Sequence, residues 1–437
     1  MEKKDPTGEG REEILATHKA LWETRHDPWD AMRYAHVLSQ YDCHEKVILL
    51  CEQVETEYPE FTPIHTHHAW SLYALHFLEN GQETFFEGEF ARYNQVLQEI
   101  RTLVLPIGYS PENVIFLRGI SFLWSKPVRP LHKIAEWLGF FDPLQLSPRS
   151  LPFQRDGSCG ETHSPRESWY LHMAMLQQEK QDWPGCLHTC ESALDNLSPF
   201  SSKDPGGWLF RFWKGKSLSA LHVWDAALVH FQELGKTRAD WTIYQELAWI
   251  HWKRGDDLKA FRNALRAMLH FPSRGELQQA TLLLLLLGEF FHQESLDSLG
   301  MQHWELFACL HAESRTPIPT PWKERLEEAG VKCSSCKPAE VRSRFAKLVP
   351  EWKEKFQQLL VQESGTIQKL YSKGGGIVQT ADGRKFFFPV SLMRGREEQF
   401  SVGTPVHFRY DDVPSPKGTK KRAVHILFPK KNAPQGA

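Results

Sequence analysis

From Trp241 to Pro272 the apolar positions of "WTIYQELAWIHWKRGDDLKAFRNALRAMLHFP" recur every three or four residues, pause at a charged turn containing Gly255, and then resume at the same spacing. Tyr244, Leu247, Ala248 and His251 share one predicted helical face, and Ala260, Ala264 and Ala267 share a second. Small side chains at Ala248 and Ala260 let two antiparallel helices approach closely. The Arg254–Asp257 turn reverses the chain, and Pro272 ends the unit.

The same offsets recur elsewhere. Ala31, Tyr34, Ala35 and Leu38 precede Val47, Cys51, Val54 and Pro59; Tyr170, Met173, Ala174 and Gln177 precede Cys186, Cys190, Ala193 and Pro199. A further unit places Gly215 and Ala227 at the two close-packing positions, and Ala227 lies 33 residues before Ala260. This pattern resembles the tetratricopeptide repeat, whose period is about 34 residues. More degenerate pairs are predicted around Trp70, Tyr73, Ala74 and Phe77, and from Gln278 to His311. Stacked pairs of this kind form a solenoid whose concave groove takes a peptide or helix of a protein partner. The proline-rich segment 105–166 fits the pattern poorly and is expected to be a long irregular excursion. The stretch 316–362 reads as a linker followed by a charged helix that Pro350 interrupts.

At Gly365 the periodicity changes from helical to alternating. "GTIQKLY", "GGGIVQT", "RKFFFPVS", "TPVHFRYDD" and "KRAVHILF" read as five short strands separated by glycine- and proline-containing turns. Five strands in so short a span predict a small β-barrel of the oligonucleotide-binding (OB) kind. Gly365–Leu370, Lys373–Val378, Phe386–Ser391, Gly403–Phe408 and Arg422–Ile426 resemble the successive strand motifs of the cold-shock domain. In that family surface aromatics of the second and third strands stack on bases. Here the resemblance implies stacking by Phe387, which matches the family's motif, and Tyr371 lies nearby. Lys369, Gly375, Ile377, Pro389 and Val390 stand where the family carries aromatics or histidine. Lys373 also matches the motif. Phosphate contacts are expected from Lys373, Lys369, Arg384, Lys385, Arg409, Lys420, Lys421 and Arg422.

The expected fold is therefore mainly α, a tetratricopeptide-like solenoid followed by a small all-β cold-shock/OB-like barrel. Its expected divisions are a charged tail at 1–20, helical repeats at 21–315, the linker and helix at 316–362, the barrel at 363–429 and a basic tail at 430–437.

Charge sharpens this division. The 437 residues sum to −2, yet from Gly365 onward there are 13 Lys/Arg against 5 Asp/Glu, so a basic module of +8 follows a body of −10. Such asymmetry suits a polyanion at one end and a different partner at the other. The eight cysteines are irregularly spaced, at 43, 51, 159, 186, 190, 309, 333 and 336, and the charged N-terminal stretch carries no apolar core of a signal peptide. These features lead us to expect a reduced, cytoplasmic protein with no membrane contact.

Candidate chemistry is sparse. His65, His67, His68 and His76 cluster on one predicted helix, but no carboxylate or thiol falls at ligand spacing beside them. Cys333 and Cys336 form half of a zinc ribbon, with only Cys309 and His311 upstream to complete it. The "KGKS" at Lys214 lacks the glycine a phosphate loop needs, since Phe210 stands in its place. No catalytic residue, metal or cofactor is expected. The sequence thus points to a non-enzymatic adaptor, holding a protein partner on the solenoid and single-stranded RNA or DNA on the barrel. The alternative is a protein-interaction regulator whose barrel binds no nucleic acid. The pairing of helical repeats with such a barrel also resembles accessory proteins of bacterial conflict systems.

Overall fold

The computed structural model describes residues 8–79, 82–83, 87–104, 109–150, 152–155, 158–161, 163–198, 200, 204, 206–238, 240–272, 277–314, 317–331, 338–372, 375–393, 397–413 and 420–428. Among these the fold is mainly α, a succession of tetratricopeptide-like helix pairs followed by a small closed barrel. The chain divides into two compact units, residues 1–217 and 218–437.

The first unit runs through α1 (Gly8–Arg25), α2 (Pro28–Gln40), α3 (His44–Glu57), α4 (His65–Phe77), α5 (Phe90–Leu103), α6 (Pro111–Trp124), α7 (Leu131–Gly139), α8 (Pro165–Glu179) and α9 (Trp183–Asn196). Two short hairpins interrupt it, β1 (Leu78–Glu79) with β2 (Gln82–Glu83) and β3 (Pro152–Arg155) with β4 (Ser158–Glu161). Helix α10 (Trp208–Ala220) spans the boundary. The second unit holds α11 (Trp224–Thr237), α12 (Trp241–Lys253), α13 (Asp257–His270), α14 (Thr281–Gln293), α15 (Asp297–Ser314), α16 (Thr320–Glu328) and α17 (Pro338–Gln358).

The repeat is visible in backbone geometry. Asp42, Gln181, His222, Gly255 and Ser295 all have a left-handed φ between 58° and 74°. Each stands two residues before the second helix of its pair, α3, α9, α11, α13 or α15. One turn geometry thus closes five hairpins, although only one of them uses glycine. Aspartates start both helices of the α12–α13 pair: the Asp240 side chain accepts from the Thr242 amide at 3.0 Å, and Asp256, next to the turn, accepts from the Lys259 amide at 3.3 Å. Ala248 and Ala260 are fully buried where the two helices meet.

Segment 105–166 departs from the irregular excursion expected of it. It contains α6, α7 and the β3–β4 hairpin, and its helices complete the aromatic core of the first unit. Two of its prolines, Pro111 and Pro165, start helices rather than breaking them. Pro111 occupies the first turn of α6, and the Ser110 side chain caps it by accepting from the Asn113 amide. Trp137 is fully buried against Phe90, Tyr93, Phe140 and Phe141, with ring centroids 5.2 to 6.5 Å away. It fits because position 119 is glycine: a Cβ there would lie 2.1 Å from the Trp137 ring.

Helix α17 is the charged helix expected after the linker, but it runs on through Pro350 instead of being interrupted there. It packs against α13 and α15, and Trp352 is fully buried with its Nε1 donating to His303 Nε2 at 2.7 Å. Strand β5 begins at Val361, only three residues after the helix ends.

The barrel comprises β5 (Val361–Leu370), β6 (Gly376–Gln379), β7 (Lys385–Phe388), β8 (Pro405–Val413) and β9 (Lys420–Leu427), closed in the order β5-β6-β7-β9-β8. Strands β7 and β9 run parallel, and every other pair, including the closing β5–β8 pair, is antiparallel. This five-strand closed barrel is OB-like. Alternate side chains of each strand, among them Ile367, Val378, Phe386, Phe388, Phe408 and Ile426, fill its interior.

The barrel is docked on the helices of its own unit. Asp411 of β8 pairs with Arg266 of α13, each only 13% and 12% exposed. The Arg409 guanidinium donates to the Gln357 carbonyl at 2.7 Å, and His425 meets the Gln357 side chain at 3.2 Å.

Candidate nucleic-acid interface

Because Val378, Phe386 and Phe388 point inward, their neighbours Ile377, Gln379, Lys385 and Phe387 must point outward. Strand register then assembles two outward rows. One runs Lys369, Ile377, Phe387, Arg422 across β5, β6, β7 and β9; the other runs Thr366, Gln379, Lys385. Phe387 is the exposed centre of the first row, 43% accessible although its chain neighbours are fully buried. Tyr371, 39% accessible, places its ring 6.4 Å away at an angle of 42°. The Lys369 ammonium lies 5.4 Å from the Tyr371 ring. Two neighbouring aromatic faces with cations at either side offer what successive bases and phosphates require.

Beside the second row, a polar cleft is lined by Ser364, Thr366, Gln368, Gln379, Thr380 and the backbone of the β6–β7 turn. Its neutral donors and acceptors suit base edges better than phosphates.

The remaining residues expected to touch phosphate are placed differently. The Arg384 guanidinium is held by Asp382 at 2.6 Å and Glu363 at 2.9 Å, which raises its pKa further. Asp382 is held down at about 2, first by the Thr380 hydroxyl and then by Arg384. Arg409 is turned away from the platform to the Gln357 carbonyl. Lys421 is exposed and sits 5.2 Å from the Tyr410 ring and 5.7 Å from the Phe386 ring. Lys420 contributes its backbone to β9 without a described side chain, and Lys373 lies outside the described residues.

The platform is narrow for a physical reason. Gly375 has φ +83°, and a Cβ there would sit 2.6 Å from the Phe388 carbonyl oxygen, so this backbone cannot carry an aromatic at that position. Sequence reasoning did not find that Asp411 lies opposite Arg422 and reaches Arg266. No local motif signals a partnership 145 residues apart.

The other candidate chemistry resolves into structural contacts. His68 and His65 both approach Glu55 of α3, at 2.9 and 3.9 Å, and His76 meets Arg92 at 2.9 Å. Among the described residues no group of three or more His, Cys, Asp or Glu is arranged to hold a metal. Cys309 is buried and disulfide-bonded, while Cys333 and Cys336 lie outside the described residues. Lys214 and Ser217 lie within helix α10, away from any strand–loop–helix phosphate cradle. Among the described residues no helix is long and apolar enough to cross a membrane.

No family model matches the chain, and no curated protein matches it. Among solved structures it is similar to a human IFIT1 dimer with PPP-AAAA, at 13% identity over 80% of this chain and 78% of that one, with a TM-score of 0.32.

Proposed function

We propose that the chain is a non-enzymatic adaptor whose cold-shock-like barrel binds single-stranded nucleic acid while its helix pairs hold a peptide or helix of a protein partner. The observation that carries this reading is the outward Lys369–Ile377–Phe387–Arg422 row with Tyr371 beside it. Stacking on two rings gives little preference among bases, because every base has a π-face. Binding is therefore weakly selective, and the lysines and arginines around the rings make it salt-sensitive. Because the barrel is anchored to α13 and α17, the adaptor presents the strand at a fixed position relative to those helices.

The single glycine-enforced gap at Gly375 favours a second reading, in which the barrel serves only as a docked protein-interaction module. Fluorescence anisotropy of labelled mixed-sequence single-stranded RNA and DNA against the full chain separates the two. Binding that weakens steadily as salt rises supports the first reading; absence of binding at low salt replaces it with the second.

A further inference from the structure

Resting on the nucleic-acid reading, we infer that the binding track continues past the barrel onto α13, where Arg422 and Arg262 take the phosphates of the strand leaving the Phe387 platform. Strand register gives the direction. Arg422 ends the platform row, Asp411 stands directly across β8–β9 from it, and Asp411 is ion-paired with Arg266. Arg262 lies four residues before Arg266 on α13, one helical turn away on the same face.

Arg266 alone pairs with Asp411, while Arg422 stands across the β8–β9 ladder from that carboxylate and Arg262 one turn along α13. Among the described residues neither Arg262 nor Arg422 forms a hydrogen bond or ion pair, and the Nε atoms of all three arginines are shut off from solvent without a partner. Arg262 and Arg422 thus keep guanidinium donor capacity that the chain itself does not use, which an acceptor from outside can take at their terminal nitrogens.

The site is also rigid. Arg266 lies 5.1 Å from the Tyr244 ring and 5.7 Å from the Phe356 ring, and Asp411 fixes its far end. The Arg266–Asp411 pair therefore fixes α13 against β8, and the planar guanidinium groups of Arg262 and Arg422 match the paired oxygens of a phosphate better than lysines do. The excess of cations over carboxylates excludes a cationic ligand. The continuity with the aromatic row selects a nucleic-acid strand over an isolated anion.

The test uses the full chain and a labelled single-stranded RNA, with affinity measured across a salt series. Arg262→Gln is the central variant because it leaves the Arg266–Asp411 pair intact. Its log–log salt slope is expected to fall by about 0.7, the value of one single-strand phosphate contact, and Arg422→Gln is expected to do the same. Arg342→Gln, an equal charge change at an exposed site on α17, should leave the slope unchanged. An unchanged slope in Arg262→Gln, in a chain whose RNA binding still depends on Phe387, overturns the α13 track alone. A drop equal to that of Arg342→Gln reduces it to a net-charge effect and overturns it too. Displacement of Arg262-dependent binding by inorganic phosphate at low concentration would replace the strand with a free anion. A wild-type chain that binds no RNA overturns both this track and the function it rests on.

Discussion

Replacing Phe387 by alanine removes the centre of the platform while touching little else. The ring is 43% accessible, and its neighbours Phe386 and Phe388, not Phe387 itself, fill the barrel core. Burying only part of a phenyl ring is worth on the order of 1 kcal/mol, so the barrel should stay folded. The loss on binding is larger in proportion. Base–aromatic stacking contributes about 1–3 kcal/mol per base, which at 1.4 kcal/mol per decade is roughly a 5- to 150-fold rise in Kd.

Tyr371 lies 6.4 Å away and takes the adjoining base, so Tyr371→Ala should cost a similar amount. The double variant should lose close to the sum, because the two rings hold different bases. Phe387→Trp keeps a π-face and should bind nearly as wild type. Anisotropy with a short labelled RNA, together with a thermal melt of each variant, measures both terms. A Phe387→Ala chain that melts normally and binds with unchanged affinity would refute the argument, since no other exposed ring occupies the centre of that row.

Three further outcomes follow from the packing. Gly119→Ala drives a methyl group to 2.1 Å from the buried Trp137 ring and should destabilise the first unit by about 1–3 kcal/mol in urea denaturation; full stability would show that the core yields there. Asp411→Asn leaves Arg266 buried without its counter-ion and should cost about 3–5 kcal/mol, whereas Arg266→Met with Asp411→Leu together should recover most of it. Equal losses in the single and double variants would rule out a charge-pair origin. His303, fully buried, is held neutral with its pKa lowered to about 4, mainly by burial, while its Nδ1 donates to the Leu299 carbonyl and its Nε2 accepts from Trp352. Its folded pKa lies below the unfolded value, so the unfolded chain binds more protons: its contribution is complete above about pH 6.5 and is lost as pH falls toward about 4, by roughly 3 kcal/mol. A Tm profile over that window should flatten in His303→Gln, and an unchanged profile would assign the loss elsewhere.

Local chemistry decided what could be read from the sequence. Helices α12 and α13 were legible because Ala248, Ala260 and Gly255 state close packing and a left-handed turn in their own side chains. The equivalent turns at Asp42, Gln181, His222 and Ser295 adopt the same φ without glycine, so the turn signal vanished while the structure persisted. The prolines of 105–166 were ambiguous for a similar reason. A proline ends a helix in its interior but starts one at its first turn, and only the Ser110 cap distinguishes the two at Pro111. In α17 the helix itself was legible but its packing was not, because the charged residues conceal a buried stripe of Val341, Leu348 and Trp352.

The interface was legible only in part, because it is a product of register. Phe387 and Lys385 could be placed outward by alternation within one strand. Whether Lys369, Ile377 and Arg422 join them depends on pairing between strands, where a slip of one residue sends each side chain to the opposite face. Counting basic residues also cannot separate a cation that is free from one already engaged. Arg384 and Arg409 look equivalent to Arg422 in sequence, yet Glu363 and the Gln357 carbonyl occupy the first two and the described residues leave the third unpaired. The cations that matter are therefore those for which the fold supplies no acceptor. By that criterion the track leads from Arg422 to Arg262 on α13, a residue that no reading of the barrel segment alone would have included.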